Sequence, residues 1–169
     1  MLDSARLKQL LGEQLRVDSR SVHAVVIGEH GDSELAVWSG ANVSGIPLDA
    51  FCALRGQPDC APLLAQIEEN VRTSAYAIIE RKGATYYGIA MAVARIAAAI
   101  VRDERAVLPV STVLGGEYGL SGLALSIPSI VGRDGVQAVL ELPLSPQERA
   151  ALTGSAAQLA QVLGELHTR

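Results

Sequence analysis

The chain has 169 residues, a formal net charge of −4, and 49% hydrophobic against 19% charged residues. That content suits one domain, residues 1–169, with a real core, and excludes a disordered chain. The acidic balance disfavours nucleic-acid and anionic-membrane partners, and the most apolar stretch, Ile89 to Val101, is too short to span a bilayer and carries Arg95. The opening Met-Leu-Asp-Ser-Ala-Arg lacks the pattern of a signal peptide. Cys52 and Cys60 make neither a disulfide framework nor a zinc site; they read as packing or loop residues in a reducing cytoplasm.

In chain order, Leu2 to Leu15 is expected to be a helix with Leu7, Leu10, Leu11 and Leu15 on one face. At about 100° per residue, Asp3 falls on that apolar arc and Arg6 just beside it. Two charges at the edge of a buried face must be paired or used, because an isolated buried charge is very costly. Ser21 to Ile27 reads as a strand, Glu34 to Ser39 as a second, and Gly40-Ala41-Asn42 as a bend. A loop with Gly56, Pro58 and Pro62 leads to a helix from Leu63 to Lys82, stopped at Gly83. Thr85 opens the next helix, to Val101, with Ile89, Val93, Ile96 and Ile100 on one face.

The last third changes character. Ala106 to Leu114, Leu123 to Val131 and Val136 to Leu142 read as strands, the last two joined in a hairpin at Asp134-Gly135. Gly115 to Gly119 is a glycine-rich loop between strands. Ser145-Pro146-Gln147-Glu148 combines a capping box with proline at the first helical position, and the closing helix carries Leu152, Leu159, Leu163 and Leu166 on one side. Helices and antiparallel strands are segregated, so the expected class is α+β.

The most telling stretch is Val25 to Ser33, where an apolar strand runs into His30, boxed between Gly28 and Gly31. Glycines flank a side chain where the backbone turns sharply or admits a close neighbour. A histidine there is a general acid/base candidate, since its ordinary pKa of about 6.5 lets it exchange a proton near neutrality. No Gly-x-Gly-x-x-Gly follows a strand, and no phosphate-binding P-loop exists. A metal site of His30 with Glu29 or Asp32 lacks the usual ligand spacing, so no metal is expected.

With Leu-Asp-Ser-Ala-Arg at 2–6 and Ile-Gly-Glu-His-Gly-Asp-Ser at 27–33, the chain resembles the lactate/malate dehydrogenase family, most closely its bacterial lactate dehydrogenases. Val37-Trp38-Ser39, Lys82 to Tyr87, Val107 to Ser111 and Gly119-Leu120 extend the likeness over the whole chain. It covers only the second half of the usual family protein, the C-terminal substrate domain, without the Rossmann half that binds NAD and carries the loop over the substrate. Members usually have valine or a similar residue before Leu-Asp-Ser-Ala-Arg, where this chain has Met1. A GUG start placed inside a longer gene would produce that N-terminus, and the upstream DNA would settle it.

The resemblance implies a cytoplasmic, glycolytic NAD-dependent oxidoreductase interconverting pyruvate and L-lactate, assembled as a homo-oligomer, a tetramer in the family. It gives His30 the role of proton donor and acceptor and Asp3 that of its orienting carboxylate. Arg6 becomes the substrate carboxylate clamp, a bidentate role that lysine cannot reproduce. Thr85 matches a pocket residue at the methyl end of the substrate, and Ile89 one beside the nicotinamide. His23 and Lys8 match an effector site for fructose 1,6-bisphosphate, although Lys8 stands where the family's effector site has an arginine. A solvent-facing strand histidine is the alternative for His23, a surface salt bridge for Asp3 and Arg6, and a helix start for Thr85. For the whole chain the alternatives are a malate dehydrogenase half and a non-enzymatic remnant. The 169 residues alone are expected not to reduce pyruvate.

Overall fold

The computed structural model describes residues 1–167. Helix α1 (Leu2–Leu15) buries Leu7, Leu11 and Leu15, half-buries Leu10, and ends on Arg16 in the left-handed conformation. A single 3-10 turn, Ser19–Ser21, leads into short strands β1 (Val22–His23), β2 (Val26–Ile27), β3 (Leu35–Ala36), β4 (Asn42–Val43) and β5 (Ile46–Pro47). The strand expected over 21–27 is two strands in two different sheets. Val22 pairs with Val43, whereas Val26 pairs with Ala36. The chain changes sheets at Ala24 and Val25, so the apolar run that resembles one strand serves two surfaces. Only two residues of the expected strand over 34–39 are paired, and Asn42, read as part of a bend, begins β4.

Helix α2 (Leu48–Leu54) was not anticipated, although Leu48 and Cys52, four residues apart and both buried, carry its signal. Helix α3 (Ala61–Lys82) begins two residues earlier than expected, with Pro62 inside its first turn, and stops at Gly83 with φ 77°. Between them Cys52 and Cys60 are joined in a disulfide, which corrects the reading of both as unpaired packing residues. The loop turns through Gly56 (φ 78°), and Gln57 N–H returns to Cys52 C=O at 2.9 Å, bringing the end of one helix to the start of the next.

Helix α4 (Tyr87–Val101) begins after Thr85, which lies in the linker. Its buried residues are the small Ala92 and Ala99, while Ile89 and Val93 stay exposed and Ile96 and Ile100 half-buried. The expected apolar face is therefore the wall of a cavity rather than packed core. Strands β6 (Ala106–Gly115), β7 (Ser121–Gly132) and β8 (Gly135–Val139) form an antiparallel meander, tight at 133–134 as the Asp134-Gly135 pair suggests. β8 stops short of Leu142 because the Leu142 N–H turns to the Tyr118 hydroxyl at 2.5 Å. Helix α5 (Pro146–His167) opens on the anticipated capping box, with Glu148 N–H on Ser145 Oγ at 3.2 Å and Ser145 N–H on Glu148 Oε2 at 2.8 Å.

One core cluster joins α1 to β1–β4 and the start of α3. A second joins β2 and β3 to β7 and α5 through Ile27, Leu125, Ile127 and Leu152. The architecture is α+β, with small antiparallel sheets between helices. Among the described residues, no helix is long and apolar enough to cross a membrane.

Candidate active site

Two elements packed in the first core build the site, the start of α1 and the loop after β2. Ser4 fixes the start of α1 to β2, its Oγ accepting Val26 N–H at 2.9 Å. That tie holds Asp3 and Arg6 beside the loop joining β2 to β3. The loop leaves β2 through Gly28, whose backbone exchanges hydrogen bonds with Ser126 of β7 at 3.0 and 2.8 Å. Gly28 has φ 96°, and a Cβ there would sit 2.9 Å from Ser155 Oγ, so glycine is required twice over. Ser155 in turn accepts Glu29 N–H at 2.8 Å, pinning the backbone just before His30.

The result is a relay. His30 Nδ1 lies 2.8 Å from Asp3 Oδ2, and Arg6 Nη1 donates to Asp3 Oδ1 at 2.9 Å. Asp3 is 5% exposed, so both of its oxygens are committed inside the protein. The His30 side chain is 71% exposed, with its other ring nitrogen free of the Asp3 contact. With Nδ1–H donated to a carboxylate, Nε2 is the atom that can give or take a proton. The acids adjacent in sequence play no such part: Glu29 bonds Ser33, and Asp32 accepts from Tyr76 at 2.9 Å.

Glu34 is the participant that the sequence did not reveal. It is 8% exposed, and its carboxyl, that of Asp3 and a His30 ring nitrogen all lie within 4.8 Å of one another. Burial, and then the charge of Asp3, push its pKa up from 4.5 to about 7. The available signal was its position, an acid immediately before the buried residues Leu35, Ala36 and Val37. A turn from Gly31 C=O to Glu34 N–H at 3.2 Å brings it back towards His30.

A cavity of about 440 Å³ opens beside this cluster, lined by Asp3, His30, Glu34, Ile89, Val93 and Ser126 among others. Among the described residues the buried Ser126 Oγ has no hydrogen-bond partner. Ile89 lines this cavity together with His30, whereas Thr85 is a half-buried linker residue outside that lining. Lys8 and His23 line a second cavity, of about 580 Å³, together with Arg95.

Chemically, a carboxylate-held histidine beside an apolar cleft on an α+β fold is an arrangement able to exchange a proton with a bound molecule. Residues 1–168 match the family model described as lactate/malate dehydrogenase, alpha/beta C-terminal domain, and the chain belongs to that family. It is 51% identical over 166 residues to the L-lactate dehydrogenase of Thermoanaerobacter sp. (strain X514), covering 98% of this chain and 53% of the relative. The L-lactate dehydrogenase of Nitratidesulfovibrio vulgaris (strain DP4) is 50% identical over 165 residues, with 98% and 52% covered. Among solved structures, a lactate dehydrogenase from a Medee basin deep-sea metagenome library superposes with a TM-score of 0.94 at 39% identity, covering 98% of this chain and 53% of that one. The minor L-lactate dehydrogenase of Enterococcus mundtii, in its ligands-bound form, gives 0.92 at 42%, with 97% and 52% covered. The chain spans about half the length of the relatives that it matches.

Proposed function

We propose that residues 1–169 are the C-terminal substrate domain of an NAD-dependent L-lactate dehydrogenase, interconverting pyruvate and L-lactate. The observation that carries this reading is the buried Asp3 carboxylate, which holds His30 at 2.8 Å on one oxygen and Arg6 at 2.9 Å on the other. Asp3 accepts from Nδ1 and orients the imidazole, so His30 can donate a proton from Nε2 to the carbonyl oxygen of pyruvate. In the reverse direction it accepts the hydroxyl proton of lactate. Arg6 turns its fork to the substrate carboxylate, with Asp3 keeping the guanidinium in place from behind. Thr85, in the α3–α4 linker, keeps the role that the resemblance implies for it, at the methyl end of the substrate.

NAD, when bound, supplies or accepts the hydride. The apolar wall of Ile89 and Val93 suits the nicotinamide side of that cofactor and helps keep water from the reacting carbon. No glycine-rich turn for the pyrophosphate occurs in these residues, so a dinucleotide-binding half has to be supplied. The guanidinium of Arg6 on Asp3 favours a proton relay over a cation site, because it opposes a metal ion at the same carboxylate.

The names of the relatives support lactate over malate, and the intact His30–Asp3–Arg6 geometry supports an enzyme over a non-enzymatic remnant. A homo-oligomer, tetrameric as in the family, and a glycolytic, cytoplasmic setting go with this role. In such a compartment the Cys52–Cys60 bond faces a reducing thiol pool. The gathering of Lys8, His23 and Arg95 on one cavity supports a phosphorylated effector such as fructose 1,6-bisphosphate.

The test is NADH oxidation by the purified chain, alone and mixed with a separately expressed dinucleotide-binding half of the Thermoanaerobacter relative. Turnover of pyruvate only in the mixture, well above that of oxaloacetate, is the expected result. Losing the positioned hydride donor can cost about 7–11 kcal/mol of barrier, so the chain alone should be silent. Preference for oxaloacetate would make it a malate enzyme, and a mixture silent towards both substrates would remove the enzymatic reading.

A further inference from the structure

The relay accounts for Asp3, Arg6 and His30 but leaves a buried carboxyl beside them without a role. Glu34 lines the same cavity as His30, is 8% exposed, and stands within 4.8 Å of the acceptor and donor atoms of Asp3 and His30. The charged groups facing it are few. From α1 come Asp3 and Arg6, from the residue before it the Met1 amine, from α3 Arg72, and from its own loop His30. Arg72 is already shared with Glu68 at 3.7 Å and Glu69 at 2.9 Å, and Arg6 with Asp3. Among the described residues Glu34 therefore has no cation of its own, and burial raises its pKa to about 7.

We propose that Glu34 is a positioning residue that makes the site's grip on a 2-oxo acid dependent on pH. This rests on the dehydrogenase reading above. With Glu34 neutral, Asp3 is the one charged carboxylate held by Arg6, and the rest of the guanidinium fork is open to the arriving substrate carboxylate. With Glu34 ionised, a second carboxylate competes for Arg6 and repels the substrate across the cavity. Two like charges about 6 Å apart, between effective dielectric constants of about 20 and 80, weaken binding roughly three- to hundredfold. By linkage, a bound 2-oxo acid must also make Glu34 harder to ionise.

The experiment uses the chain labelled with carboxyl-13C glutamate, with the Glu34 signal assigned from Glu34→Gln. Its titration midpoint is followed by NMR with and without saturating pyruvate. The expected midpoint lies near 7 without pyruvate and rises with it. A midpoint that pyruvate does not move overturns the proposal. In the mixture with the dinucleotide-binding half, KM for pyruvate should climb more steeply above pH 7 in the wild type than in Glu34→Gln. Matching KM profiles with intact turnover overturn the role of Glu34 alone. No turnover, with the Glu34 midpoint still responding to pyruvate, overturns the dehydrogenase reading alone.

Discussion

Replacing Glu34 by Gln should stabilise the fold, and by an amount that depends on pH. The carboxyl titrates at 4.5 in its ordinary state and at about 7 here, so the native protein keeps a proton that the unfolded chain releases within that window. Where the native state binds more protons than the unfolded one, stability falls as pH rises. Below about pH 4.5 both states hold the proton and nothing is lost, whereas above about pH 7 the full penalty is present. About 2.5 pKa units at 1.36 kcal/mol each comes to roughly 3 kcal/mol. Glu34 is only 8% exposed, so water screens little of it. Glutamine has the same shape and no proton to lose. Urea unfolding of both proteins from pH 4 to 8 should show an offset near zero at the acid end, growing to roughly 3 kcal/mol. With a urea slope of about 1–3 kcal/mol per molar, the midpoint moves by about 1–3 M at pH 8. A constant cost of burying the amide would shift the whole curve but not its slope. An offset equal at pH 4 and pH 8 would refute the placement of Glu34 as a buried, raised carboxyl.

Two further perturbations probe the scaffold and the clamp. Gly28→Ala forces a side chain into φ 96° and to within 2.9 Å of Ser155 Oγ, and should cost about 2–3 kcal/mol in urea unfolding, whereas a loss under about 0.5 kcal/mol would mean that the loop gives way freely. Arg6→Lys, in the mixture with the dinucleotide-binding half, should raise KM for pyruvate about tenfold or more as a fork becomes a point charge. Unchanged KM and kcat would remove the carboxylate clamp.

Much of this arrangement was legible in the sequence because periodicity and local chemistry speak directly to it. The leucine face of α1 fixed which way Asp3 and Arg6 point, and both are found at the edge of the core. Gly28 marked a backbone that turns where no Cβ fits, and Ser145 with Glu148 marked the start of α5. Non-local facts stayed hidden. The resemblance paired His30 with Asp3, 27 positions upstream, but nothing near His30 in sequence announces that Glu34 comes within 4.8 Å of both while the adjacent Glu29 and Asp32 bond elsewhere. The switch of sheets at Ala24 and Val25 was invisible because both sheets ask for the same apolar, β-branched residues. The disulfide was missed because whether two cysteines meet depends on how the loop between α2 and α3 folds back.

In the proposed reaction His30, held by Asp3, moves the proton. Pyruvate-dependent NADH oxidation by the chain mixed with its dinucleotide-binding half is to be compared between wild type and His30→Ala. Loss of the acid/base group should lower kcat by about two to four orders of magnitude while NADH binding is kept. A kcat that survives within a factor of a few would contradict the assignment.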